Sequence, residues 1–263
     1  QPVAHAVHCI APLRYDIPEP LPADGIDAVI PVPIYPLCGP STTVSSIDLL
    51  ENAIDETGEY DPEFSAVTGW HRVPLYNRMR AEGIESFLAD NDVDPNDPDT
   101  TFVFSAHGTP TKYLDEGFRY DEYVEEHAAA IAGMAGIESY EIGYQNHANR
   151  GIEWTEPETE ELVEGLGDSA ERVVVEPMSF MHEQSETLVE LDIDLKEDAD
   201  AVGLDLYRVP VPHDDARFPT LLADVIEPFL SAFAPSYYQL RQCQCRNEEG
   251  TYCFNAELPP QEV

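Results

Sequence analysis

Positive charge is scarce in this sequence. Thirteen lysines and arginines stand against 52 aspartates and glutamates, a formal net charge of −39. Lysine is nearly missing, with only Lys112 and Lys196. So acidic a surface excludes nucleic acid as a partner, because like charges repel at long range. It also excludes broad electrostatic docking on an anionic membrane, so peripheral membrane contact would need a local apolar patch. No run of about 18 apolar residues occurs, so no transmembrane segment is expected. Five cysteines, unevenly placed, do not make a disulfide framework. No charged stretch leads into an apolar signal segment, and the chain reads as cytoplasmic. It opens on Gln1 rather than Met, which reads as a processed form or a fragment.

What is present suffices for a sizeable core. Hydrophobic residues make up 43% of the 263, which excludes a disordered chain. The charge profile fits a halophilic protein whose self-repulsion is screened by high salt; an acidic protein of an ordinary cytosol is the alternative.

Apolar runs and helical spacings alternate along the chain. Ala28–Tyr35 reads as a buried strand, followed by a loop with Cys38 and Ser41-Thr42-Thr43 and a helix capped by Ser45 or Ser46. A strand is expected near Phe64–Trp70 and a helix over Leu75–Leu88. Thr101–Ser105, Tyr140–Tyr144, Arg172–Pro177 and Leu206–Val211 read as strands. Helices are expected over Tyr120–Ala135, Pro157–Leu166, Glu183–Val202 and Phe218–Phe233. The alternation predicts an α/β fold of two similar Rossmann-like halves, with parallel sheets flanked by helices. The division expected is 1–95 for an N-terminal half, 96–234 for a C-terminal half with the chemistry, and 235–263 for a cysteine-rich tail that reads as an appendage. Ligands of such sheets bind beyond the carboxyl ends of the strands.

His107 directly follows a buried strand and precedes Gly108, which lets a ligand approach the backbone. An imidazole there can act as a general base, or be a histidine hydrogen-bonded at a loop start. Glu183, Glu186, Glu190, Asp194 and Glu197 recur every three or four residues, which would stack their carboxylates on one α-helical face. Such a line can relay protons or hold a divalent cation, or be a solvated acidic face. Trp154, on a polar connection after Tyr144-Gln145-Asn146-His147, reads as one wall of a flat ligand site or as core.

Together these segments resemble a family. Phe104-Ser105-Ala106-His107-Gly108-Thr109-Pro110 is similar to the F-S-A-H-G/S-x-P signature of ferrochelatases. Tyr144-Gln145, then Trp154 and Pro157, resembles their Y-Q…W-x-x-P segment. Pro177-Met178-Ser179-Phe180, then Glu186-Thr187-Leu188-Val189-Glu190-Leu191-Asp192, resembles P-x-x-F…E-T-L-x-E-L-D. Leu13-Arg14-Tyr15 and Tyr35-Pro36…Ser41-Thr42-Thr43 match in order as well. The resemblance covers roughly residues 11–233. It implies an enzyme that inserts Fe2+ into a porphyrin, protoporphyrin IX or coproporphyrin III, to form haem in a cleft between two α/β halves. It implies His107 and Glu186 as the catalytic pair, with Glu183 and Glu190 continuing a metal-binding line. Arg14, Tyr15, Trp154 and Phe180 correspond to residues around the macrocycle. Only about a dozen residues precede Arg14, which implies a chain without the family's N-terminal segment. Where family members often carry Asp-His or Glu-His before the helix glutamate, this chain has Glu183-Gln184, with the histidine displaced to His182. The alternatives are a cobalt or nickel tetrapyrrole chelatase and a non-catalytic porphyrin- or haem-binding protein. Oligomeric state is left open.

Cys243, Cys245 and Cys253 form C-x-C-x7-C, and Cys38 precedes Ser41-Thr42-Thr43. Four thiolates can hold zinc or a [2Fe–2S] cluster, or the tail can carry free thiols. Some ferrochelatases hold a [2Fe–2S] cluster with three tail cysteines and one in this loop, just before Ser-Thr-Thr. Cys38 lies two residues earlier. The resemblance thus implies a cluster on Cys38, Cys243, Cys245 and Cys253, and leaves Cys9 out.

Overall fold

The computed structural model describes residues 27–57, 62–147, 151–231, 238 and 240–254. In chain order its elements are β1 (Ala28–Val29), α1 (Ser45–Thr57), β2 (Glu63–Phe64), β3 (Ala66–Val67), α2 (Pro74–Asn91) and β4 (Thr100–His107). There follow α3 (Thr111–Asp115), α4 (Tyr120–Ala135), β5 (Glu141–Gln145), α5 (Thr159–Gly165) and β6 (Arg172–Pro177). The last are α6 (Leu195–Ala201), β7 (Asp205–Arg208), α7 (Phe218–Leu230), β8 (Arg241–Gln242) and β9 (Thr251–Cys253).

The central sheet is four-stranded and parallel, in the order β5-β4-β6-β7. Phe102 through Ala106 are all buried, because helices cover both faces of β4. Phe102, Phe104 and Ala106 pack with Ile84 and Leu88 of α2 and with Val124, Ala128 and Ile131 of α4. Val103 points the other way, into Val163, Leu195 and Ala199. The Phe, Ile, Leu and Val side chains among these each contribute roughly 1.5–3 kcal/mol on burial. Gly136, at φ 70°, stops α4 in the left-handed conformation that glycine adopts without strain.

Around β1 the structure departs from expectation. The buried strand expected over Ala28–Tyr35 shrinks to two residues, the exposed Ala28 and the half-buried Val29. Pro31, Pro33 and Pro36 lack the N–H groups a longer ladder needs. β1 pairs in parallel with β2, and β3 pairs in parallel with β9, which is antiparallel to β8. The cysteine tail is therefore no free appendage: it adds strands to the edge of β3. Packing also crosses residue 95, since α2 lies against α4 over the central sheet.

The helix expected over Glu183–Val202 is two structures. Glu186–Asp194 is π-helical and continues as α6. Its i→i+5 bonds widen the turn, so a three-to-four spacing no longer stacks all the acids on one face. Among the described residues no helix is long and apolar enough to cross a membrane.

Candidate active site

His107 closes β4 at the carboxyl edge of the central sheet. Its backbone is held from two sides: His107 N donates to Ser179 Oγ at 2.8 Å, and Tyr120 Oη donates to His107 O at 2.8 Å. Its Nδ1 lies 2.8 Å from Gly108 O. A carbonyl only accepts, so this contact puts a proton on Nδ1; in the neutral ring the lone pair is then on Nε2.

Gly108 also has a packing role. A Cβ there would stand 1.7 Å from Asn146 Oδ1, so glycine makes room for a side chain of the neighbouring loop. Gly108 N donates to Gln145 O at 2.7 Å and joins the two loops.

Three rings surround the imidazole. Trp154 and Phe180 lie 6.5 and 6.4 Å from His107 between ring centroids. His147 lies closer, at 5.1 Å, and is itself 5.4 Å from Trp154. The sequence reading placed Trp154 and Phe180 here but gave His147 no role. Its place, two residues beyond β5 within the Tyr144–His147 segment, was the available signal.

The carboxylates divide into separate environments. Gln145 is the register partner of His107, and its Nε2 donates to Glu186 O at 2.9 Å and to Glu190 Oε2 at 3.0 Å. Glu186 Oε2 accepts from Ser185 Oγ at 2.7 Å. Glu183 lies before the helix, where its Oε1 accepts from Arg208 Nη1 at 2.6 Å and from Val211 N at 2.9 Å. Burial alone would raise its pKa; hydrogen bonds from Thr187, Arg208 and the Val211 N–H outweigh it and hold the carboxyl low. A cavity of about 130 Å³ beside Gln145 is lined by Glu158, Glu160 and Glu190 among others. Burial, with the charges of Asp198, Glu158, Glu190 and Asp194, pushes Glu160 above its ordinary value. Arg14 and Tyr15 lie outside the described residues.

The cysteines form a second centre. The Sγ atoms of Cys38, Cys243 and Cys245 all lie within 4.8 Å of one another. Cys253 is buried beside Cys243, and its thiol points at Gly69 O at 3.7 Å. Thr68 Oγ1 donates to Cys243 Sγ at 3.1 Å and Arg246 N does so at 3.3 Å. Hydrogen bonds from Cys245, Cys253 and Cys38 lower the Cys243 thiol's pKa, favouring a thiolate there. Arg246 is buried and pairs with Asp48 of α1 at 2.7 Å and with Glu51, which fastens the tail to the N-terminal part. Cys9 is outside the described residues.

An imidazole at the carboxyl edge of a parallel sheet, walled by aromatic rings, with a Glu190 carboxylate held by the neighbouring strand's Gln145, belongs to an α/β protein with a candidate site at its strand ends. The ferrochelatase family model matches residues 1–229, and the chain belongs to that family. It is 30% identical over 223 residues to the ferrochelatase of Geobacter sp. (strain M21), covering 82% of this chain and 69% of that one. To the ferrochelatase of Synechococcus sp. (strain RCC307) it is 36% identical over 217 residues, covering 80% of this chain and 54% of the longer relative. In fold alone it resembles CbiX, the terminal enzyme for biosynthesis of siroheme in denitrifying bacteria. The TM-score is 0.50 at 17% identity, over 80% of this chain and 79% of that one.

Proposed function

We propose that this protein inserts Fe2+ into a porphyrin, protoporphyrin or coproporphyrin, to form haem. One Fe2+ replaces two pyrrole protons, so the ring must be deprotonated where the metal enters. His107 accepts one proton at Nε2. The observation that carries this role is the Nδ1 contact with Gly108 O, which puts the lone pair of the neutral ring on Nε2. Glu186 serves the other side of the ring, and Glu190, oriented by Gln145, extends the carboxylate line along which Fe2+ approaches and protons leave. Glu183 orients Arg208 rather than the metal. Trp154 and Phe180 wall the macrocycle. Arg14 and Tyr15, assigned from their motif alone, serve porphyrin binding in this reading, since an arginine can pair with a propionate.

The cysteine set fits a thiolate-bound metal group, with three clustered Sγ atoms and a fourth thiol beside them. We infer a [2Fe–2S] cluster held by Cys38, Cys243, Cys245 and Cys253. When bound, it supplies a one-electron centre that metal insertion itself does not require.

The test is Fe2+ insertion without oxygen, followed by the loss of porphyrin fluorescence. His107→Ala should slow insertion by about a hundredfold or more while porphyrin affinity changes only a few-fold, because the base is lost and the walls remain. Porphyrin binding without insertion by the unaltered protein would make it a binding protein and overturn the enzymatic reading. Unchanged turnover in the variant would remove His107 from the mechanism.

A further inference from the structure

We propose that Arg80 is a positioning residue for metal insertion, holding from α2 the turn that sets both Phe180 and His107. The inference rests on the assignment of those two residues to the porphyrin site.

The Arg80 side chain is fully buried. Its Nη1 donates to Phe180 O and its Nη2 to Pro177 O, each at 2.8 Å. The same Nη2 lies 2.5 Å from Glu176 Oε1, at the end of β6. One guanidinium thus holds both ends of the turn 177–180. Inside that turn Ser179 Oγ accepts from His107 N, and Met178 N donates to Ser105 O at 3.0 Å. Displacing the turn would therefore move an aromatic wall and loosen the backbone of the proposed base together.

Stability alone is a poor reason for such a group. Buried ion pairs can often be replaced by apolar residues of similar volume at no cost, because desolvation offsets their attraction. An apolar pair holds neither carbonyl, and a lysine's single rotatable ammonium lacks the planar fork by which two separate nitrogens fix the two carbonyl oxygens.

Two variants separate these roles. The double variant Arg80→Met/Glu176→Met leaves no unpaired buried charge and should unfold within a few degrees of the unaltered protein. Arg80→Lys keeps the charge and loses the fork. In both, kcat for Fe2+ insertion should fall by about tenfold or more, because a small misplacement of reacting groups is costly. Porphyrin affinity should weaken several-fold, and the His107 amide should exchange its hydrogen faster as its bond to Ser179 loosens. If the folded double variant keeps kcat, porphyrin affinity and His107 protection, the proposal is wrong. Should the unaltered protein fail to insert iron, the ferrochelatase reading falls separately. Hydrogen exchange at His107 then still decides whether Arg80 sets the turn, and unchanged protection in a folded variant overturns it.

Discussion

Gln145 stands opposite His107 in the parallel register of β5 and β4, and its side chain reaches across to Glu190 Oε2 at 3.0 Å. The amide also donates to Glu186 O at 2.9 Å, while its Oε1 accepts from Ser105 Oγ at 3.2 Å. One buried glutamine therefore ties the strand of the proposed base to the Glu190 carboxylate and to the backbone of Glu186.

Removing that link should cost both order and rate. Gln145→Leu loses a hydrogen bond to a charged acceptor and two to neutral groups, a loss of about 2.5–6 kcal/mol on typical values. Insertion should slow by about tenfold as Glu190 loses its orientation, with porphyrin affinity little changed. Denaturant unfolding and the insertion assay measure the two effects. A variant with unaltered rate would show that Glu190 needs no such support.

The acidic surface makes salt a lever on stability. At −39 the folded chain repels itself, and added salt screens that repulsion. The unfolding midpoint should climb steadily from low to molar salt in calorimetry. A flat or falling midpoint would mean that self-repulsion is not a significant destabilising force.

Metal occupancy of the cysteine site should be visible directly. Protein prepared without oxygen should carry two irons per chain, with charge-transfer absorption, and removing the metal should lower the unfolding midpoint. Cys38→Ser should lose the colour, because Cys38 supplies one of the three clustered sulfurs. One zinc per chain would keep the ligands and change the metal. Absence of both metals would overturn the assignment.

Acid should find a weak point at Glu126. It accepts from His71 Nε2 at 3.3 Å and Arg72 Nε at 3.0 Å. The hydrogen bond from His71 first, and those of Arg72, outweigh partial burial and lower its pKa from 4.5 to about 2. A depressed folded pKa stabilises above the unfolded value, and that stabilisation fades as pH falls from 4.5 through about 2. Glu126→Gln should therefore melt lower than the unaltered chain at neutral pH. The gap between their midpoints should close across this acid window. A gap independent of pH would rule out Glu126 as the source.

Several elements were legible in the residues themselves. Thr101–Ser105 is apolar enough to require a strand covered on both faces, and it lies within β4. The spacing over Tyr120–Ala135 and the run Arg172–Pro177 coincide with α4 and β6. These follow from periodicity and side-chain volume, which act between near neighbours. The motif around His107 likewise put the imidazole at a strand end, where the fold leaves it. The acids after Glu183 were misleading because their spacing was read at an α-helical period, and the backbone there is π-helical.

The sequence alone determined the class of fold, the alternation of strands and helices, and the stretches that carry His107 and Glu186. Tertiary structure decided which groups meet: Arg208 with Glu183, Gln145 with Glu190, and Arg80 with the carbonyls of Pro177 and Phe180 about a hundred residues away. It also placed β9 beside β3 and brought Cys38 to Cys243 and Cys245. The physical reason is that local conformation depends on neighbouring side chains. A buried guanidinium or thiol takes whichever partner remains once the sheet has closed and water has been excluded.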